Sequence, residues 1–410
     1  SEEELLKTPL YDLHIVKGGK IVPFGGFSMP VYYEDLNITE SHNWTREKAS
    51  LFDVSHMLQH NFAGPGAANF LASITPSSPK ALAPFTSTLS AFLHPDGGIV
   101  DDTIITNISS GWRDQFYVVT NGACRAKDKA FISDALAAWR RDSQHGEVSW
   151  HTLENNGLIA LQGPLAAEIL QSLEPKKDGH ELDLSTLHFG QSAWLTFGDV
   201  LSGEDKSACL VSRGGYTGED GFEISITGSD HSNPTQTLTE ALLRYAGPEK
   251  LRLAGLGPRD SLRLEAGMCL YGHDIDDTTT PVEAGLSWIV AKDRRAQGGF
   301  NGSDTILQQL KAKKDGGGVT RRRVGIVVED RAPAREGAKI VNEEGEEVGV
   351  VTSGGPSPTL GKNIAMGYIR DGLHKTGTKV GVVVRNKTRP AVVTKMPFVP
   401  TKYWKGKGAA

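Results

Sequence analysis

Four segments combine titratable side chains with the glycines and turns that would present them. In Gly97 to Ile104 (GGIVDDTI) two carboxylates, Asp101 and Asp102, stand inside an otherwise apolar strand. A carboxylate in a half-buried strand is costly unless it is paired or hydrogen-bonded. Strand alternation sends the two side chains to opposite faces, so at most one points into any given cavity. The pattern alone is balanced between a solvent-facing aspartate beside a satisfied structural one, and a pKa-tuned acid/base or ligand anchor. In Phe52 to Met57 (FDVSHM) a strand ends on His56 and Met57. A lone histidine there is more often structural than catalytic, and the methionine is either core or a soft apolar face for a flat ligand.

The third segment, Ser212 to Glu223 (SRGGYTGEDGFE), carries four glycines that permit a sharp turn or a close backbone approach. Its plainer reading is a tight hairpin with Phe222, Glu223 and Ile224 on the returning strand. The spacing fits neither a dinucleotide fingerprint nor a Walker A loop. The fourth, Gly255 to Ile275 (GLGPRDSLRLEAGMCLYGHDI), places Arg259 at a helix start, where its fork is free to bind a carboxylate. Asp260 there complements the helix N-terminus. The plainer reading of Arg259, Asp260, Arg263 and Glu265 is a surface ion-pair network, and on pattern alone that reading is favoured.

Other chemistries lack their signatures. No HExxH, EF-hand loop or His/Cys cluster points to a metal, and no GxSxG elbow points to a serine hydrolase. Three scattered cysteines (Cys124, Cys209, Cys269) give no disulfide framework and suit a reducing compartment. The net charge of −5 carries no basic footprint for nucleic acid. No apolar run approaches the roughly 20 residues of a spanning helix. The chain starts Ser1-Glu2-Glu3-Glu4 without a methionine, as after removal of a presequence.

The elements that must hold these residues follow from periodicity. With 410 residues, two to three domains are expected. A strand from Lys20 is broken at Pro23 and Gly25-Gly26. A helix over 40–50 is predicted with Thr39 or Ser41 as its cap. A hairpin is predicted over 86–107 with its turn at His94 to Gly98. A strand over 116–120 and an amphipathic helix over 127–141 follow. Helices are also expected at 164–173, 237–245 and 259–265. Composition changes near residue 311: KAKKDGGGVTRRR reads as a linker or exposed loop, with Arg321 to Arg323 solvated. Valine- and glycine-rich strands at 324–328, 339–341, 349–353, 364–369, 379–384 and 391–393 then suggest a small all-β sandwich or barrel.

Taken in order, TPLYDLH, FDVSHM, GGIVDD, LQGP, SRGGYTGEDGFE, GLGPRDSLRLEAGMCLYGHDI, PVEAGLSWIV, TSGGPSPTLGKNIAMGY and KMPFVPTKYW resemble the aminomethyltransferase family, the T-proteins of the glycine cleavage system. Each motif is weak alone, whereas the ordered set spans nearly the whole chain. The resemblance implies an α+β, multi-domain cloverleaf around folate. Residues 8–310 would form a folate-binding body of two intertwined α+β subdomains, and 320–404 a C-terminal β-barrel or jelly-roll-like domain.

The resemblance also implies a reaction: a one-carbon unit passes from the aminomethylated lipoyl arm of the H-protein to tetrahydrofolate. Tetrahydrofolate is then the acceptor substrate, with no metal and no flavin, and no nucleic-acid or membrane partner. Residue by residue, Asp102 matches the family's key acid, Met57 an apolar pterin contact, Glu223 a pterin anchor and Arg259 a second polar group of the folate site. Tyr403 matches a position closing the site from the β module, while Asn121 and Trp288 fall in matching strand and cleft segments. Pro258 departs from the alanine of many relatives, a change tolerated at a helix start. The family is mitochondrial in eukaryotes, which implies the matrix. Two other readings stand beside this one: a non-catalytic folate-binding protein of iron–sulfur cluster assembly, and a demethylase-type fragment fed by a flavin partner. The stretch Met268 to Asp274 lacks the Lys-Gly-Cys-Tyr signature of the former.

Overall fold

The protein is described here from a computed structural model covering residues 4–409. Apolar alternation builds a first sheet in the order Ser87–Leu93, Ile99–Asn107, Gln115–Thr120, Leu58–Ala63, Ser149–Thr152, antiparallel throughout. Helices Ala67–Ile74 and Arg125–Arg140 cover it, packing Phe70, Leu71, Ile132 and Leu136 on Phe62, Phe92, Val100 and Ile105. A second sheet runs Ser192–Leu195, Cys209–Arg213, Gly221–Ile226, Gly157–Gln162, Ala49–Asp53, Leu251–Ala254. Only its last pair is parallel. Its core joins Leu51, Leu161, Phe222 and Ile224 to Leu238 and Leu242 of helix Pro234–Ala246.

The third body is a closed barrel in the order Arg321–Val328, Lys362–Arg370, Glu347–Ser357, Lys339–Val341, Lys379–Val384, Lys387–Thr394. Closure leaves no unpaired edge. The architecture is therefore the expected α+β body with a C-terminal β-barrel.

Local expectations met with mixed outcomes. The broken strand near Pro23 is a hairpin, Gly19–Phe24 against Phe27–Tyr33, turning through Gly25 (φ 56°) and Gly26 (φ 82°). Two successive left-handed residues make the tight turn that fits strand twist. The helix expected from residue 40 spans Ile38–Glu47 and starts on Asn37. The Asn37 side chain accepts from the Glu40 N–H, and Glu40 reaches back to the Asn37 N–H, a reciprocal capping box. Arg321 to Arg323 are not a solvated loop but the opening of the first barrel strand. Arg321 pairs with Glu283 at 2.7 Å, Arg322 with Asp371 at 2.5 Å, and Arg323 donates to the Ala284 carbonyl at 2.7 Å.

Nor is the charge network of helix Leu256–Glu265 a surface one. Glu265 is fully buried and accepts from Arg46 at 2.8 Å and from Thr359 at 2.7 Å, with His42 Nε2 at 2.9 Å. Burial pushes its carboxyl up, but His42, Ser357 and Arg46 outweigh that and hold it down to about 2. Arg263 bonds the buried Asp274 at 2.7 Å and Ser353 of the barrel at 2.9 Å. The C-terminal tail leaves the barrel and crosses the second sheet. The Lys402 N–H donates to the Gly218 carbonyl, and the Trp404 carbonyl accepts from the Phe189 N–H.

Candidate functional site

Asp102 sits on strand Ile99–Asn107, just past a bulge at which one extra residue, Val100, lies between the partners of Phe92 and Leu93. Bulges re-aim side chains. The neighbouring strand ends at Thr120, which pairs with Thr103, so Asn121 arrives beside the aspartates. Its Nδ2 donates to Asp101 Oδ1 and to Asp102 Oδ1, each at 2.7 Å, and its backbone N–H donates to Asp101 Oδ2 at 3.0 Å. One amide thus reaches both carboxylates, although Asp101 faces Cys124 and Asp128 while Asp102 lies near Tyr216. Asp101 is fully buried and Asp102 half-buried. Neither matches the solvent-facing aspartate of the plainer reading. Burial, then the charge of Asp101, pushes the Asp102 carboxyl up to about 7, while the Asn121 hydrogen bond pulls against that rise.

Facing this strand is the second sheet's glycine-rich hairpin, formed as expected by Cys209–Arg213 and Gly221–Ile226. Its glycines make room for protein. A Cβ on Gly215 would lie 2.1 Å from Gln162 Oε1, and one on Gly221 2.2 Å from the Leu161 carbonyl. Glu223 projects from the returning strand. Burial raises its carboxyl, and the Arg259 guanidinium opposes that rise. Arg259 lies over the Tyr216 ring, 4.8 Å from its centroid, and its Nη1 is buried without a partner. Tyr216 donates its hydroxyl to the Cys269 carbonyl at 2.5 Å, and burial, with a smaller part from the nearby Asp102 charge, raises its pKa. An orphaned buried donor costs about 1–3 kcal/mol, so an incoming acceptor is favoured there.

Met57 packs on Phe52, Val54 and Leu262, between the two sheets. The neighbouring His56 is buried against Phe24 and Phe27, and burial pushes its imidazole down to about 4. That fits the structural reading, although its Nδ1 also lacks a partner.

The structure therefore assembles Asp102 with Asn121, and Glu223 with Arg259, beside Tyr216 and Met57. It does not bring the other two candidates into contact with them. Trp288 lies in the turn Ser287–Ile289 and is 60% exposed. Tyr403 stacks on Phe189 at 4.1 Å and lies near Arg46 and Glu219. Two depressions of about 470 and 500 Å³, beside His145 and beside Asp330, contain none of these residues. Sequence reasoning passed over Tyr216, whose signal was an aromatic inside the glycine run. It also passed over Asp128, a buried carboxylate four residues before the core Ile132.

A carboxylate poised near neutrality, facing a carboxylate–guanidinium couple over an aromatic ring, suits proton transfer at a flat, hydrogen-bonding ligand. The comparisons agree in kind. The profile of the GCVT N-terminal domain matches residues 10–294, and that of the glycine cleavage T-protein C-terminal barrel domain matches 321–400. The probable mitochondrial aminomethyltransferase of Schizosaccharomyces pombe is 51% identical over 405 residues, 99% of this chain and 96% of its own. The mitochondrial aminomethyltransferase of Pisum sativum is 48% identical, covering 99% and 92%. The crystal structure of glycine cleavage system aminomethyltransferase T from Bartonella henselae superposes with a TM-score of 0.83 at 35% identity, covering 98% of this chain and 100% of that one. With both family domains matched in order and relatives aligned from end to end, this chain belongs to the aminomethyltransferase, or glycine cleavage T-protein, family.

Proposed function

We propose that aminomethyl transfer runs in the cleft between Asp102 and the Glu223–Arg259 couple, with Asp102 as the acting carboxylate. The donor is the S-aminomethyl-dihydrolipoyl arm of the H-protein and the acceptor is tetrahydrofolate. The C–S and C–N bonds of the carried carbon break as bonds to folate N5 and N10 form. The two folate N–H protons end on ammonia and the thiol, leaving 5,10-methylenetetrahydrofolate. Asp102 takes a proton from the folate nitrogens and stabilises the iminium-like carbon electrostatically.

Glu223 accepts two N–H bonds from the aminopyrimidine edge, Arg259 donates from its orphaned Nη1, and Met57 lines the apolar side. Asn121 orients Asp102. Trp288 and Tyr403 lie farther out, at the mouth and on the tail that crosses from the barrel. We take residues 8–310 as the folate-binding body and 320–404 as the barrel domain. The mitochondrial names of the relatives support a matrix location. The same names favour transfer over the cluster-assembly reading.

The observation that carries this reading is the carboxyl of Asp102, raised to about 7 while held by a single amide. The test is tetrahydrofolate-dependent ammonia release from aminomethylated H-protein. Asp102→Asn keeps the shape and removes the charge, so turnover should fall roughly 10²-fold or more. Near-normal turnover would remove Asp102 from the chemistry and make Asp101 the next position to change. Tight folate binding without any release by the unaltered chain would withdraw every catalytic role.

A further inference from the structure

Behind Asp102 lies a second acid that the reaction does not touch. Asp101, Cys124 and Asp128 are all buried, and a ligand atom of each lies within 4.8 Å of the others. Asp128 is fully buried in the first turn of helix Arg125–Arg140, and neither of its oxygens receives an N–H. Asp101 is the opposite case, holding both nitrogens of Asn121 and facing the Cys124 thiol. The nearest cation, Lys127, is turned elsewhere, toward the Tyr271 hydroxyl at 2.7 Å and Asp277 at 3.5 Å.

The donors on the other side of Asp128 have a fixed direction. Trp150 Nε1 can only donate, and it lies 3.1 Å from His60 Nδ1. The proton of His60 is therefore on Nε2, which donates to Thr120 Oγ1 at 2.8 Å. Burial pushes His60 down to about 3, so the ring stays neutral. The Thr120 proton is left for the Leu58 carbonyl or the Asp128 carboxyl beside it. No fixed N–H supports a charge on Asp128, and a buried carboxylate without donors is far costlier than the neutral acid. A neutral acid has one proton to give, and the acceptor next to it is Asp101.

We propose that Asp128 is a positioning residue, a neutral carboxylic acid sharing its proton with Asp101 so that Asp101 stays an anion and fixes Asn121 against Asp102. Burial acts on both acids of the pair. The donors converge on Asp101, so the proton resides on Asp128, whose carboxyl is pushed up to about 11. The catalytic consequence rests on Asp102 being the acting carboxylate; the location of the proton does not. The groups facing the pair are Asn121, Cys124, Thr120, Lys127 and Tyr271.

The experiment uses the full chain at pH 9, where Asp102 is ionised and Asp128 is not. The infrared difference between the unaltered protein and Asp128→Asn should show one protonated carboxyl band lost in the variant. Absence of that band, or stoichiometric metal in the purified protein that Asp128→Asn abolishes, overturns the proposal. In turnover, Asp128→Asn still donates an N–H to Asp101 and should keep the acid limb where it was. Asp128→Leu cannot donate, so Asp101 takes up a proton and stops repelling Asp102, and the limb should move down by about one pH unit. A limb that moves in Asp128→Asn, or stays put in a folded Asp128→Leu, is the result of a merely structural side chain. Should Asp102→Asn prove harmless, the limb loses its meaning but the infrared band still decides where the proton is.

Discussion

Removing the amide that holds Asp102 should move the pH dependence of the enzyme by a predictable amount. Asn121→Ala deletes the 2.7 Å donor to Asp102 Oδ1. Asp101 keeps the backbone N–H of residue 121 at 3.0 Å and, on the proposal above, the proton shared by Asp128, and so stays ionised. A hydrogen bond to a charged group contributes about 1.5–3 kcal/mol. At 1.36 kcal/mol per pKa unit, its loss raises Asp102 by about 1–2 units above its present value of about 7. With the carboxylate of Asp102 as the proposed acting form, activity is lost as pH falls through the pKa. At pH 7 the ionised fraction drops from about one half to between roughly 9% and 1%, a loss of about 5- to 50-fold that should be recovered by pH 9 to 10. The assay is kcat/KM for ammonia release between pH 6 and 10, with thermal stability measured over the same range. A limb that remains near 7, or activity reduced by one factor at every pH, would refute the electrostatic role given to Asn121.

Two further changes probe the fold and the proposed role of Trp288. Glu265 has a folded pKa of about 2 against an ordinary 4.5, so its contribution of about 3 kcal/mol is present above pH 4.5 and is lost as pH falls toward 2. Glu265→Gln should lower the denaturant midpoint at pH 7 and converge on the unaltered protein in acid, and equal midpoints at pH 7 would contradict this. Trp288 is 60% exposed, so Trp288→Ala should leave stability within about 0.5 kcal/mol while raising KM for tetrahydrofolate. An unchanged KM takes Trp288 out of the binding site.

What could be read from the sequence was set by range. The hairpin over 86–107 and the barrel strands were legible because turn residues and alternation are local signals, and the structure places those strands within a few residues of expectation. The cap of helix Ile38–Glu47 was misplaced because Asn37 lies beyond the apolar pattern that drew attention to Thr39 and Ser41. Arg321 to Arg323 looked solvated because three adjacent cations usually are. Their partners, Glu283 and Asp371, lie 38 and 49 residues away from those they bind. Asp102 was legible as a carboxylate in an apolar strand, but its linkage to Asp101 through Asn121 was not. That contact depends on the register between two strands, which alternation alone does not specify. Asp128 was hidden by its helix, where a single polar residue on the apolar face passes for noise.

The tail that crosses from the barrel has a consequence for how the chain comes into being. The Gly218 carbonyl accepts its bond from the Lys402 N–H, and the Phe189 N–H donates to the Trp404 carbonyl. A ribosome working at roughly 5–20 residues per second needs roughly 10 to 40 seconds to travel from residue 218 to residue 402. During that interval the glycine-rich hairpin exists without its strap, and for part of it Glu265 lacks the hydrogen bond from Thr359. A segment made after the two sheets and the barrel is therefore the one that latches these earlier folding units together, so a chain cut short before Lys402 would carry Asp102, Glu223 and Arg259 without the latch.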